Sequence, residues 1–118
     1  MKKYTVITEI EFQYETMEVE IEVEAYTEEE AHTIAETKVF DNIFVIVHDV
    51  KNTNKESKED EVSEYLVSIS IECNDKVLND ITILEDSNSE EEASVSVKEK
   101  TLKDIVITTR NTLVNNED

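Results

Sequence analysis

The side chains best placed to do chemistry in this 118-residue chain are carboxylates at every second position. From Met17 to Ala25 the sequence alternates. Glu18, Glu20, Glu22 and Glu24 fall on one side, and Met17, Val19, Ile21, Val23 and Ala25 on the other. A strand turns successive side chains to opposite faces and rises about 3.4 Å per residue, so the glutamates form a row spaced roughly 6.8 Å apart. That spacing spans about two phosphate steps of one B-DNA strand, where charges recur about every 3.4 Å. The chemistry of such a row is electrostatic: a surrogate phosphate backbone that a basic groove would attract. Glu9 and Glu11 in the preceding stretch, and Glu28, Glu29 and Glu30 just after the row, extend the candidate face. The plainer reading of the same residues is a solvated face whose charge keeps a sheet edge from aggregating.

Other constellations carry less. Asp86, Asn88, Glu90 and Glu92 alternate oxygen ligands as a calcium loop does, but the glycine that such a loop needs for its sharp turn is missing. Glu90 and Glu92 are better explained by helix capping. His32 sits beside Glu28 and Glu36, and His48 follows an apolar run. The two share no metal-binding spacing, and with Cys73 they supply too few ligands for zinc. No Ser-His-Asp arrangement shows in the spacing. The expectation is a chain without catalytic residues, metal or cofactor. Its basic residues are few and scattered, so direct binding to nucleic acid or to an anionic membrane is not expected.

The elements that position these residues can be read from periodicity. Tyr4, Val6, Ile10, Phe12 and Tyr14 share one face of a first strand, Lys3 to Tyr14. Folding it back around Glu15-Thr16 sets Phe12 against Val19 and Ile10 against Ile21. It also sets Glu11 against Glu20 and Glu9 against Glu22. Like charges directly opposed cost some tenths of a kcal/mol per pair, and such a cost asks for a reason outside folding. Thr27 reads as a helix N-cap with Glu30 closing a capping box. The helix should run from Glu28 to about Val39, bury Ala31, Ile34 and Ala35, and end near Asp41-Asn42. Ile43 to Val47 is continuously apolar, which predicts a strand covered on both faces. Lys51 to Ser63 is polar and of low complexity, and reads as a linker.

The pattern then begins again. Tyr65, Val67, Ile69, Ile71 and Cys73 follow Tyr4, Val6, Thr8, Ile10 and Phe12 at an offset of 61. Asn74-Asp75 makes a turn, and Val77 to Leu84 a second strand. Ser89-Glu90-Glu91-Glu92-Ala93 repeats Thr27-Glu28-Glu29-Glu30-Ala31 at an offset of 62, and Ile105-Val106-Ile107 meets Ile43-Phe44-Val45. The repeat makes Ala93–Lys100 a helix and Cys73 a core residue. The fold class expected is α+β: two tandem ββαβ repeats, mainly antiparallel, one helix each, related by a pseudo-two-fold. The first repeat would occupy residues 1–50, the linker 51–63 and the second repeat 64–118, in one compact domain. Each repeat is too small to bury a core alone.

Composition bounds the rest. Thirty acidic residues against eleven basic give a net charge of −19, far beyond what solubility asks. Glycine and proline are absent, which excludes phosphate loops, the dinucleotide fingerprint and the nucleophile elbow. A single cysteine forbids an internal disulfide and points to a reducing compartment. With no membrane-spanning run and no signal-like segment, a cytoplasmic protein is expected.

The segment V-E-A-Y-T-E-E-E-A-H-T-I-A-E resembles the ββα units of small proteins of phages and other mobile elements. At class level the chain is similar to small acidic phage inhibitors of the anti-restriction, anti-CRISPR and DNA-mimic kinds. That resemblance implies a basic host partner, a nuclease or DNA-binding protein, met in the host cytoplasm, and carries no residue roles across. The function expected is therefore a non-enzymatic acidic inhibitor or regulator. The alternative is a structural or adaptor module, such as a homodimer, whose charge serves solubility only.

Overall fold

The computed structural model describes residues 1–53 and 62–115. Its elements are β1 (Lys2–Phe12), β2 (Glu15–Ala25), α1 (Glu28–Asp41), β3 (Ile43–Asn52), β4 (Ser63–Cys73), β5 (Lys76–Ser87), α2 (Glu90–Asp104) and β6 (Val106–Asn115). This is an α+β protein with two antiparallel three-stranded sheets and two helices, in a ββαβ-like repeat. One sheet has the order β2-β1-β6 and the other β3-β4-β5. Each sheet thus takes its third strand from the other repeat.

In the first unit, α1 covers the apolar face of β2-β1-β6. Tyr4, Val6, Thr8, Ile10 and Phe12 of β1 are buried with Val19, Ile21, Val23 and Ala25 of β2. Against them α1 sets Ala31, Ala35 and Val39. The expected Ile34 is only half-buried, because the inward stripe runs Ala31, Ala35, Val39 at i+4 spacing and leaves Ile34 at its margin. Thr27 caps α1 as its spacing predicts, its side chain accepting from Glu30 N at 3.1 Å. Thr8, a polar residue in the apolar row, donates to Val19 O at 2.9 Å and so is buried without penalty.

The second unit, residues 44–72 and 77–104, holds most of β3-β4-β5 together with α2. The repeat is visible in burial: Tyr65, Val67, Ile69 and Ile71 of that unit are all buried, as are Ala93, Val97 and Thr101 of α2, while Cys73 at the end of β4 is buried within the first unit. Ser89 caps α2 as Thr27 caps α1, accepting from Glu92 N at 3.1 Å. The turns match too, with Gln13 at φ 57 and Asn74 at φ 55 in the left-handed region.

Other expectations are corrected too. The first hairpin turns at Gln13-Tyr14, two residues earlier than Glu15-Thr16, so Phe12 lies opposite Glu15, Ile10 opposite Met17 and Val6 opposite Ile21. The slip is even, which leaves every side chain on its proper face. Tyr14 leaves the apolar face and is exposed in the turn. Ile43–Val47 is not covered on both faces: β3 lies at a sheet edge, with Phe44 63% exposed and Val45 to Val47 half-buried. In β5 Asp80 takes φ 60 and the burial alternation slips from Leu78 to Ile81, as at a bulge. Of the polar linker, residues 54–61 lie outside the described residues. On either side β3 continues to Asn52 and β4 begins at Ser63, with Thr53 N donating to Glu64 O at 3.0 Å.

Where α1 has Val39, α2 has Thr101, whose buried Oγ1 has no hydrogen-bond partner among the described residues. A buried, unsatisfied hydroxyl costs about 1–3 kcal/mol. Thr101→Val, equal in shape, should stabilise the protein by about 1–2 kcal/mol in urea unfolding. Destabilisation would show that the hydroxyl has a partner in solution.

Candidate functional site: the glutamate face

The strand β2 lies at the outer edge of its sheet, and its alternation puts Met17, Val19, Ile21 and Val23 towards α1. Glu18, Glu20, Glu22 and Glu24 therefore stand together on the open face, and all four are exposed. The corrected register changes what lies beside them. Glu9 is opposite Glu18, Ile7 opposite Glu20, Thr5 opposite Glu22 and Lys3 opposite Glu24. Glu11 lies opposite Thr16 on one side and Val106 on the other. Only one carboxylate pair is directly opposed, and the expected pairs Glu11–Glu20 and Glu9–Glu22 do not form. The electrostatic cost of the hairpin is smaller than the sequence suggested, because the tighter turn sets neutral residues against Glu20 and Glu22.

Cations temper the face at its margins. Arg110 Nη1 reaches Glu9 Oε2 at 3.7 Å, from the extra residue of a β6 bulge opposite Ile7/Thr8. Glu9, on the central strand, is the most covered carboxylate of the set, its side chain 19% exposed. A groove of about 370 Å³ beside Glu18 and Glu20 includes Lys76. The row itself remains four consecutive outward carboxylates.

Glu28 and Glu29 are exposed in the first turn of α1. They suit the positive end of the helix dipole, and they stand on the helix side of the sheet rather than on the open face. Glu28 Oε1 lies 3.7 Å from His32 Nε2. His32 is bonded to Thr112 Oγ1 at 2.6 Å, and Glu36 Oε2 accepts from Thr109 Oγ1 at 2.8 Å. Both side chains of α1 thus tie the helix to β6. His48 is bonded to Ser70 at 2.8 Å. Sequence reading missed these links because they join residues 22, 73 and 80 positions apart.

One buried carboxylate also escaped notice. Glu85 is 7% exposed, accepting from Lys100 Nζ at 2.7 Å and Ser96 Oγ at 3.0 Å. The spacing of Ser96 and Lys100, one helical turn apart on α2, was the available signal. Asp86, Asn88, Glu90 and Glu92 do not assemble: among the described residues no group of three or more His, Cys, Asp or Glu is placed to hold a metal ion. Among the same residues no helix is long and apolar enough to cross a membrane. No family model, characterised relative or solved structure matches the chain.

Cys73 is fully buried, its Sγ 3.6 Å from Val39 O, and burial pushes its thiol pKa up. Nucleophilicity resides in the thiolate, which this site disfavours. Native protein should react with a thiol reagent about 100-fold more slowly than urea-unfolded protein, since exposure requires opening. Comparable rates would place Cys73 at the surface.

Proposed function

We propose that the protein is a non-enzymatic inhibitor or regulator that offers its glutamate face to the basic groove of a nucleic-acid-binding or defence protein. There it would compete with the nucleic acid. The observation carrying this reading is the unbroken exposure of Glu18, Glu20, Glu22 and Glu24 on one edge strand. Neighbours in the row lie about 6.8 Å apart, inside the Debye length of about 8 Å at physiological salt, so their fields add at the surface. The net charge of −19 extends that field and speeds encounter with a basic partner. Such a protein would act in the cytoplasm of a phage-infected cell, in keeping with the inhibitor class it resembles.

A second reading keeps one observation of its own. β2 is an edge strand, where charge blocks unwanted pairing whatever the function. On that reading the protein is a structural or adaptor module, and its contacts are apolar.

Immobilised protein, incubated with lysate of a low-GC bacterium at about 50 and about 500 mM salt, separates the two. The expected result is retention of basic nucleic-acid enzymes at the lower salt and release at the higher. For the partner so identified, the variant Glu18→Gln/Glu20→Gln/Glu22→Gln/Glu24→Gln should bind at least about tenfold more weakly. Unchanged affinity of that variant would sink the proposal, and a salt-resistant, non-basic partner would favour the module.

A further inference from the structure

We propose that the outer edge of β3 pairs antiparallel with β3 of a second copy of this chain, forming a two-fold dimer through a continuous six-stranded sheet. The four edge strands of the two sheets are treated differently. β2 carries the glutamate row, β6 a bulge with Arg110, and β5 the left-handed Asp80 where its alternation slips. Charges and bulges are the usual means of keeping edges from pairing. The fourth edge carries no charge along its first half: Ile43 to Val47 is uncharged, and Phe44 is 63% exposed. Further along, Asp49 and Lys51 pair with one another at 3.6 Å, which leaves the strand electrically neutral.

Neutrality selects the occupant. A basic partner is drawn to the acidic edge and gains nothing at β3. Two copies, each at −19, repel one another least when their neutral surfaces meet. The β3 strand also complements itself. An antiparallel register centred on Ile46 sets Val45 against Val47 and Phe44 against His48, with no carboxylate facing another. Such an isologous contact closes after one partner, as two-fold interfaces do. The inference does not depend on the glutamate face. Its salt response has the opposite sign, because screening relieves repulsion between copies and weakens attraction to a basic groove.

Sedimentation velocity of the full chain across a concentration series tests it, with Phe44→Lys and Ile46→Cys as variants. The wild-type chain should reach dimer, and more readily at about 500 mM salt than at about 50 mM. Phe44→Lys, at an exposed position, should weaken dimerisation about tenfold or more while keeping the far-UV circular dichroism spectrum. On the two-fold, opposed Cα atoms at Ile46 would lie about 4.5–5.5 Å apart, within disulfide range. Ile46→Cys should therefore cross-link on mild oxidation, and Thr82→Cys on exposed β5 should not. A monomer at every concentration overturns the proposal. So does a dimer that neither Phe44→Lys weakens nor Ile46→Cys cross-links, or a different protein held on β3.

Discussion

Everything in this molecule follows from the pairing of β1 with β6, which joins Lys3 to Asn115 across almost the whole chain. A ββα repeat makes only two strands and a helix for its sheet, and the third strand must come from elsewhere. Here β6 completes the sheet of the first repeat and β3 that of the second. The cost is loop-closure entropy, incurred before the long-range contacts form. What offsets it is burial of the β1 apolar row between strands and beneath α1, with the Thr109 and Thr112 hydroxyls holding Glu36 and His32 of the helix. The polar bonds fix which strand may lie there, and the apolar row supplies the driving force.

That pairing also decides where the charge sits. With β6 on one side of β1, β2 is left at the outer edge with one neighbour, and its solvent face is open. Four carboxylates there are cheaply solvated, and the register sets neutral Ile7 and Thr5 against the middle two. The equivalent strand of the second repeat, β5, has no such row; it buries Glu85 against Lys100 and carries Asp80 at a left-handed residue. The two edges of one repeat pattern are thus kept safe by different means. If edge protection were the sole reason for the glutamates, a single charge or bulge would have sufficed, as it does on β6. The excess adds to the outward field of the protein.

Much of the fold was legible because burial in strands has period two and the repeat supplied a second copy of each signal. The offset of 61 placed Cys73 in the core. The cap Ser89-Glu92 made a helix of residues that, with Val95 and Val97 alternating, could have read as strand. What was not legible has particular causes. Gln13 has no intrinsic preference for positive φ, so nothing local marked the hairpin turn, and the glutamate pairings drawn from a later turn were wrong. The apolar run Ile43–Val47 signals burial in general but not which sheet it joins, nor that it joins at an edge. The His32–Thr112 and Glu36–Thr109 links depend on tertiary pairing, which no short window contains. For the candidate site, the row was visible in full, whereas the cations at its margins, Arg110 and Lys3, appeared only with the register.

The claim on which the functional reading rests is that the row exceeds what the fold needs. The direct measurement is the urea-unfolding free energy and solubility, at low salt, of the chain with Glu18, Glu20, Glu22 and Glu24 all changed to Gln. If the row serves an outside partner, removing four mutually repelling charges leaves stability equal or higher, and the protein stays soluble and folded. Lower stability, or aggregation of a chain that still folds, would show that the glutamates guard the β2 edge, and the partner-binding role would lose its support.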